Sequence, residues 1–329
     1  MPITIENKPH ASFQMQFHRR WNHLNDPHVR ALAWLLDAPD LLNPRAPQWQ
    51  GQIATLAADA SKDAEDWLLA LDHAPAALHA FLDVQPFSRL GRYAEKLMAF
   101  YFRHQGRMVA HGVQVRTDKN DTIGEFDFLL RDGAALVHWE FAVKFYLLEP
   151  SDGGQQGDYF VGPNLADTLG AKMDKILNRQ LALGQHPAAQ IHLPQPVTSA
   201  QALIKGWLFY HDDNVPPAGS PGVSDAHCRG FWCGLAELDA RAGERYAVLP
   251  RLRWLAPAKM DFGMSLNRQS LLDMLAAHFA RDTMPVLVAQ VERQGNHAVE
   301  IDRGFIVPDD WPRRAGERFR YQGLNCRPR

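Results

Sequence analysis

The fold is decided by the stretch Thr122-Ile-Gly-Glu-Phe-Asp-Phe-Leu-Leu-Arg-Asp-Gly-Ala-Ala-Leu-Val-His-Trp-Glu-Phe-Ala-Val-Lys-Phe-Tyr-Leu-Leu148. Two apolar runs flank its central Asp-Gly, a dipeptide typical of tight hairpin turns, and they predict two antiparallel strands. Asp127, Glu140 and Lys144 interrupt these runs. A charge in a core strand is costly unless it is paired or binds a metal, so these three residues mark a candidate site.

The two carboxylates of this hairpin are expected to lie close together. Side chains alternate along a strand, so Glu125 faces the same way as Asp127, and Lys144 faces the same way as Glu140. Two ionised carboxylates at that distance repel each other, and Mg²⁺ or Mn²⁺ relieves the repulsion. A lysine further along the strand can hold a water or stabilise charge on a phosphoryl group. The pattern therefore favours metal-assisted phosphodiester hydrolysis.

A purely structural interpretation of the same charges stays open. Glu140 and Lys144 would then form an ion pair on an exposed face of the sheet, with Asp127 solvated at an edge. The apolar residues between them indicate that one face of the sheet is buried, but they leave the other face undecided.

The segment from Ser88 to Gln105 is predicted to be a helix that packs on this sheet and ends at Gly106. Glu95 lies beside its apolar face. It is either directed towards the site or is a boundary charge paired with Arg92 or Lys96.

The hairpin and this helix resemble the core of the PD-(D/E)xK nuclease superfamily, most closely its Holliday-junction-resolvase-like branch. Gly124-Glu-Phe-Asp leads through an Asp-Gly turn to Val-His-Trp-Glu, as Gly-Glu-Ile-Asp leads to Val-Glu-Val-Lys in that branch. The resemblance runs from about Ser88 to Leu148. The whole sequence also resembles an uncharacterised bacterial family of unknown function.

The resemblance implies a Mg²⁺- or Mn²⁺-dependent nuclease acting on nucleic acid, most simply DNA. Asp127 and Glu140 match the metal-binding carboxylates of the superfamily, and the carbonyl of Phe141 would add a third ligand. Glu95 matches the helical glutamate that binds a second metal or orients the first.

The lysine departs from the family pattern. That pattern places it two residues after the second carboxylate, where this chain has Ala142. Lys144 lies one strand repeat further, about 6.6 Å along the strand, on the same face. On the following helix, predicted from Asn164 to Leu183, Lys172 and Gln180 are candidate nucleic-acid contacts.

The predicted fold is α/β, with a restriction-endonuclease-like central mixed sheet flanked by helices. Residues 1–85 are expected to be a helical accessory segment and residues 86–210 the nuclease-like core. Residues 223–329 are expected to form a C-terminal α+β extension packed on the core.

Composition excludes several classes of protein. The chain has 329 residues, 46% hydrophobic and 22% charged, with a formal net charge of −2. It contains neither a long uncharged apolar run nor a signal-peptide pattern at its start, so no membrane association is expected. Three cysteines suit a reducing compartment, and we expect a cytoplasmic protein.

Three further features are weaker indications. His227, Cys228 and Cys233 could hold zinc, although a chance grouping is favoured because a second close pair of ligands is missing. The glycine-rich segment from Ser151 to Asp158 is a candidate flap. The arginine-rich segment from Pro312 to Arg329 is either a solvated tail or a phosphate contact.

Three functions remain open from the sequence. The first is the metal-dependent nuclease. The second is a module that binds nucleic acid without efficient cleavage, favoured by the displaced lysine. The third is a protein-interaction scaffold with a vestigial site.

Overall fold

The computed structural model describes residues 12–83, 89–116, 121–149, 160–211, 222–241 and 243–317. Within these ranges the protein has the predicted α/β class, with one large mixed sheet and helices on both faces. No helix in the same ranges is long and apolar enough to cross a membrane. The candidate flap, residues 151–158, lies outside them.

The helices fall into an N-terminal group, a pair of elements beside the hairpin, and a C-terminal group. The α-helices are α1 Phe13–Trp21, α2 Pro27–Asp37, α3 Ala60–Asp63, α4 Glu65–His73, α5 Ala76–Leu82, α6 Leu90–His104, α7 Leu169–Lys175, α8 Leu235–Leu238 and α9 Arg268–Phe279. Residues 311–317 are also helical.

Eleven strands in the described ranges belong to the sheet. They are β1 Met108–Arg116, β2 Thr122–Asp132, β3 Ala135–Leu148, β4 Phe160–Val161, β5 Val197–His211, β6 Cys228–Gly234, β7 Arg245–Val248, β8 Lys259–Asp261, β9 Leu266–Asn267, β10 Val286–Gln294 and β11 His297–Val307. Their order is β1-β2-β3-β5-β6-β11-β10-β7-β9, with β4 paired to β3 and β8 to β11. The strands β3, β5, β6 and β11 run parallel, and antiparallel pairs extend the sheet at both ends.

The predicted hairpin is confirmed as β2 and β3. Its turn follows the pair Asp132–Ala135, and Gly133 has φ 59°, a left-handed conformation that glycine adopts without strain. The ladder continues to the pair Phe128–Trp139 and stops there, although both strands extend beyond it. The two strands therefore separate at the positions of the sequence-predicted site.

The two faces of the sheet are covered by different helices. On one face the N-terminal helices and α6 share a core with β3 and β5, where the rings of Trp34 and Trp207 stack 6.3 Å apart. On the other face α7 packs Met173 against Ile204 and Tyr146. Both faces being covered explains why β3 and β5 are apolar almost throughout.

The predicted helix from Asn164 to Leu183 is wrong in its extent. Leu165 has φ 57°, outside the helical region, and α7 begins only after Thr168, whose hydroxyl accepts a hydrogen bond from Ala171 N. After α7 the chain widens into a π-helical turn, Ile176–Gln180, and then tightens into 3-10 turns. The apolar periodicity predicted a helix but carried no signal for these changes of pitch.

A close backbone contact fixes the position of Lys144 on β3. Gly206 of β5 lies opposite it, and a Cβ atom at Gly206 would come within 2.0 Å of the Lys144 carbonyl oxygen. Any side chain here would push β3 and β5 apart.

We predict that Gly206→Ala lowers the free energy of unfolding by about 3 kcal/mol, because the added methyl group forces the central strands apart. Urea denaturation measures the change. Gly91→Ala is the matched control, since Gly91 lies in α6 with no atom within 4 Å of the place that a methyl group would occupy, and it should be neutral or slightly stabilising. Equal stability of Gly206→Ala and the wild type would contradict the contact.

Candidate metal centre

Asp127 lies where the β2–β3 ladder ends. Its Oδ2 accepts a hydrogen bond of 2.9 Å from the backbone N–H of Phe141. The carboxylate thus takes the place of a backbone acceptor, while the ring of Phe141 packs into the core on the far side. The structure places Asp127 and Glu140 on adjacent strands beside this contact, as the sequence predicts.

Glu140 is buried, with 2% of its side chain exposed. His138 Nε2–H donates to its Oε1 at 2.8 Å, and Gln180 Nε2–H donates to its Oε2 at 2.5 Å. Both oxygens are therefore held by neutral donors. The alternative of an exposed Glu140–Lys144 ion pair is wrong.

Burial raises the pKa of both carboxyl groups. Desolvation is the largest cause for Asp127, and the Glu140 charge adds to it. Desolvation is also the largest cause for Glu140, and its pKa rises in the same direction. Two buried acids side by side resist ionising together, which is the condition that a bound cation relieves.

Glu95 approaches the same place from α6. Its Oε1 accepts a hydrogen bond of 2.8 Å from His111 Nε2, on β1, so the alternative pairing with Arg92 or Lys96 is not what holds it. Carboxylate oxygens of Glu95, Glu125 and Asp127 all lie within 4.8 Å of one another. Three half-buried oxygen donors at this spacing fit a hard divalent cation such as Mg²⁺ or Mn²⁺.

The glycine at position 112 of β1 lies beside this cluster. It lies between the paired residues His111 and Val113, opposite Asp127, and its φ is 64°. A Cβ atom there would lie 3.5 Å from Glu125 Oε1. That distance is an ordinary van der Waals contact, so it is the left-handed backbone, and not lack of space, that favours glycine here.

Lys144 lies on the same face of β3 as Glu140, one repeat beyond Ala142. Its side chain forms no hydrogen bond or ion pair with any residue that the structure describes. Burial lowers its pKa to about 8, and the neighbouring Lys172 acts in the same direction, whereas Asp167 and Asp127 oppose it. The ammonium group is therefore half-buried, unpaired within the described ranges, and within the electrostatic influence of Asp127.

Lys172 and Gln180, whose contacts with nucleic acid stay a prediction, each have a partner within the protein. Lys172 Nζ lies 3.4 Å from Asp167 Oδ2, with 39% of its side chain exposed. Gln180 lies at the end of the π-helical turn and donates a hydrogen bond to Glu140. Such π-helical turns are often found at functional sites.

The possible zinc grouping is not formed. Cys228 and Cys233 are five positions apart on β6, so they face opposite sides of the sheet and enter different cores. His227 is held by the hydroxyl of Tyr210 and by the carbonyl of Ser224. In the arginine-rich segment, Arg313 pairs with Glu317 at 2.7 Å, and residues 318–329 lie outside the described ranges.

Sequence reasoning did not assign roles to Glu125, His138 or His111. Strand alternation carried a signal for the first two, since they stand two residues before Asp127 and Glu140. No pattern in the sequence links His111 to Glu95, because that contact depends on how α6 crosses β1.

Residues 30–307 match the model of a family described as a domain of unknown function, DUF1853. The match covers most of the chain and all the residues of the candidate centre, and the chain belongs to this family. No curated protein and no solved structure matches the chain.

We predict that the metal-free protein loses stability as pH rises from about 4 to about 8. Desolvation and the repulsion between Asp127 and Glu140 raise the pKa of this pair in the folded state, so the folded protein retains a proton on the pair that the unfolded chain releases at about pH 4. Unfolding is therefore favoured progressively as the pH rises across this window. Thermal denaturation in EDTA at a series of pH values measures it.

Asp127→Asn should flatten this dependence and make the protein more stable than the wild type at pH 8. Asp132→Asn, in the exposed hairpin turn, is the matched control and should leave the slope unchanged. A slope that is the same in Asp127→Asn and the wild type would show that the pair ionises freely.

Proposed function

We propose that the protein is a divalent-metal-dependent nuclease of the PD-(D/E)xK kind, with a restriction-endonuclease-like core, which hydrolyses phosphodiester bonds in DNA or structured nucleic acid. The observation that carries the proposal is the cluster of Glu95, Glu125 and Asp127 oxygens, whose member Asp127 acts electrostatically on a Lys144 ammonium that has no partner among the described residues. Acidic donors for a cation and a free cationic group for a phosphate are the two requirements of this chemistry.

Two ligand sets are consistent with the carboxylates present. The family resemblance favours Asp127, Glu140 and the Phe141 carbonyl, whereas the distances favour Glu95, Glu125 and Asp127. Asp127 belongs to both. A bound Mg²⁺ or Mn²⁺ would supply Lewis-acid activation of a phosphoryl oxygen and of water.

The chain's own residues would do the rest. His138 and Gln180 hold the Glu140 carboxylate in one orientation. Lys144, with a pKa lowered to about 8, can donate to a phosphate oxygen when charged or accept a proton from water when neutral. Both states are populated near neutral to mildly alkaline pH, which suits a group that assists hydrolysis.

The surface beside Lys144 supports a polyanionic substrate. Lys175 and Arg179 follow Lys172 along α7 and the π-helical turn, and both are exposed. Neither side chain forms a hydrogen bond or an ion pair with any other described residue. Cations at this spacing can contact successive phosphates of a nucleic-acid backbone.

A second candidate function is binding of nucleic acid without efficient cleavage. Ala142 favours it, because the side chain at the family's lysine position has no functional group. Cleavage requires that the side chain of Lys144 extend back by one strand repeat to the position where the family has its lysine. Binding without cleavage does not require this.

We predict that the protein cleaves linear, nicked or branched DNA with Mg²⁺ or Mn²⁺, and that Lys144→Ala lowers the rate about 100-fold because the cationic group at the phosphate is lost. Adding Ala142→Lys to that variant should restore much of the rate. Gel assays of cleavage and of binding, run in parallel, measure both.

Asp127→Asn should abolish cleavage, and Asp132→Asn, the control from the hairpin turn, should keep it. DNA binding without cleavage by the wild type, with cleavage gained by Ala142→Lys, would select the binding module. Cleavage that is unchanged in Asp127→Asn would remove the assigned site altogether.

A further inference from the structure

A second pocket lies away from the carboxylates, between the start of α2 and the segment from Val248 to Met260. Its volume is about 310 Å³, at the lower end of the range for small-molecule sites. We propose that it binds a small organic anion with a carboxylate or phosphate head and an apolar body. The pocket uses none of the residues of the candidate metal centre.

The lining of the pocket is mostly apolar, and its charged residues are all cations. Apolar side chains form most of the lining, from both α2 and the 248–260 segment. The charged lining residues are Arg30, Arg253 and Lys259, and no aspartate or glutamate lines the pocket. A ligand of opposite charge is therefore favoured, with an apolar part to fill the remaining space.

Two of the cations are fixed in place by neutral groups. Arg30, which is 4% exposed, donates to the carbonyl oxygens of Trp21 at 3.0 Å and Pro257 at 2.9 Å. Lys259 Nζ donates to the Asn22 carbonyl at 2.7 Å and to Asn25 Oδ1 at 2.8 Å. Neither has a carboxylate as a hydrogen-bond partner in the part of the chain that the structure describes, so carbonyl and amide oxygens satisfy their donors while carboxylates act on them only at longer range.

The acids around these cations direct their hydrogen bonds to other groups, although the charges of Asp72 and Glu300 still act on Arg30. Asp26 caps α2 through its Oδ1 and contacts His79 through its Oδ2 at 2.7 Å. Asp72 Oδ1 accepts from the backbone N–H groups of Asn25 and Asp26. Both carboxylate oxygens of Glu300 accept hydrogen bonds from the Arg303 guanidinium, at 2.5 and 2.8 Å. None of these acids forms a hydrogen bond with Arg30 or Lys259, so none blocks the approach of an anion to them.

Arg253 is the third cation of the pocket, and its guanidinium is available to bind the anionic head of a ligand. It follows Pro250 in a short 3-10 turn at the edge of the pocket and is exposed. Its side chain forms no hydrogen bond or ion pair with the other residues in the described ranges. A guanidinium with free donors can bind a carboxylate or a phosphate through two parallel hydrogen bonds.

Calorimetry on the full chain in EDTA tests the proposal with three probes. Benzoate and phenyl phosphate carry the two possible heads on the same ring, and benzamidine has a similar shape to benzoate with the opposite charge. We expect one molecule of at least one of the two anions to bind per chain, and benzamidine not to bind. The tighter of the two anions identifies the head group that the pocket prefers.

Arg253→Gln should weaken binding of that anion about tenfold, and it removes no side-chain hydrogen bond or ion pair among the described residues. Arg251→Gln is the matched control, because Arg251 is exposed in the same turn but does not line the pocket. Asp127→Asn should bind the anion as the wild type does, which separates this pocket from the metal centre. Absence of binding by both anions, equal binding of benzamidine, or unchanged binding by Arg253→Gln would overturn the proposal.

Discussion

The hydrogen bond from the Phe141 backbone to the Asp127 carboxylate is the contact on which the candidate centre depends. It replaces the next ladder bond of the hairpin, so the two strands separate without leaving the backbone donor unsatisfied. The separation makes room between β2 and β3 for side chains that a regular ladder would exclude. It also holds a carboxylate where burial makes its charge costly, and this cost is what a cation would offset.

The surrounding elements are arranged around that gap. The helix α6 brings Glu95 to it, and His111 of β1 holds Glu95 in place. On the other face, the π-helical turn directs Gln180 to Glu140. A turn of ordinary α-helical pitch would place this side chain in a different direction, so the irregular helix and the buried carboxylate are parts of one arrangement.

Much of the hairpin could be predicted from the sequence because its signals are local. An Asp-Gly turn, strand alternation and the spacing of Asp127 from Glu140 are enough to bring these two residues together. The same alternation also showed Glu125 facing with Asp127, and it separates Cys228 from Cys233, which argues against zinc. The contacts of His111 and Gln180 could not be predicted, because they depend on how helices cross the sheet. The late start of α7 was hidden because Leu165 fits the apolar pattern while adopting a left-handed backbone.

Calorimetric titration with Mn²⁺ tests most directly, and without requiring activity, whether Glu95, Glu125 and Asp127 hold a divalent cation. Glu125→Gln and Glu140→Gln are the deciding pair, because only Glu125 belongs to the cluster in which all three oxygens are close. We expect Glu125→Gln to weaken Mn²⁺ binding at least tenfold, and Glu140→Gln, which keeps an acceptor for His138, to weaken it much less. Unchanged Mn²⁺ affinity in Glu125→Gln, or no Mn²⁺ binding by the wild type, would contradict this assignment.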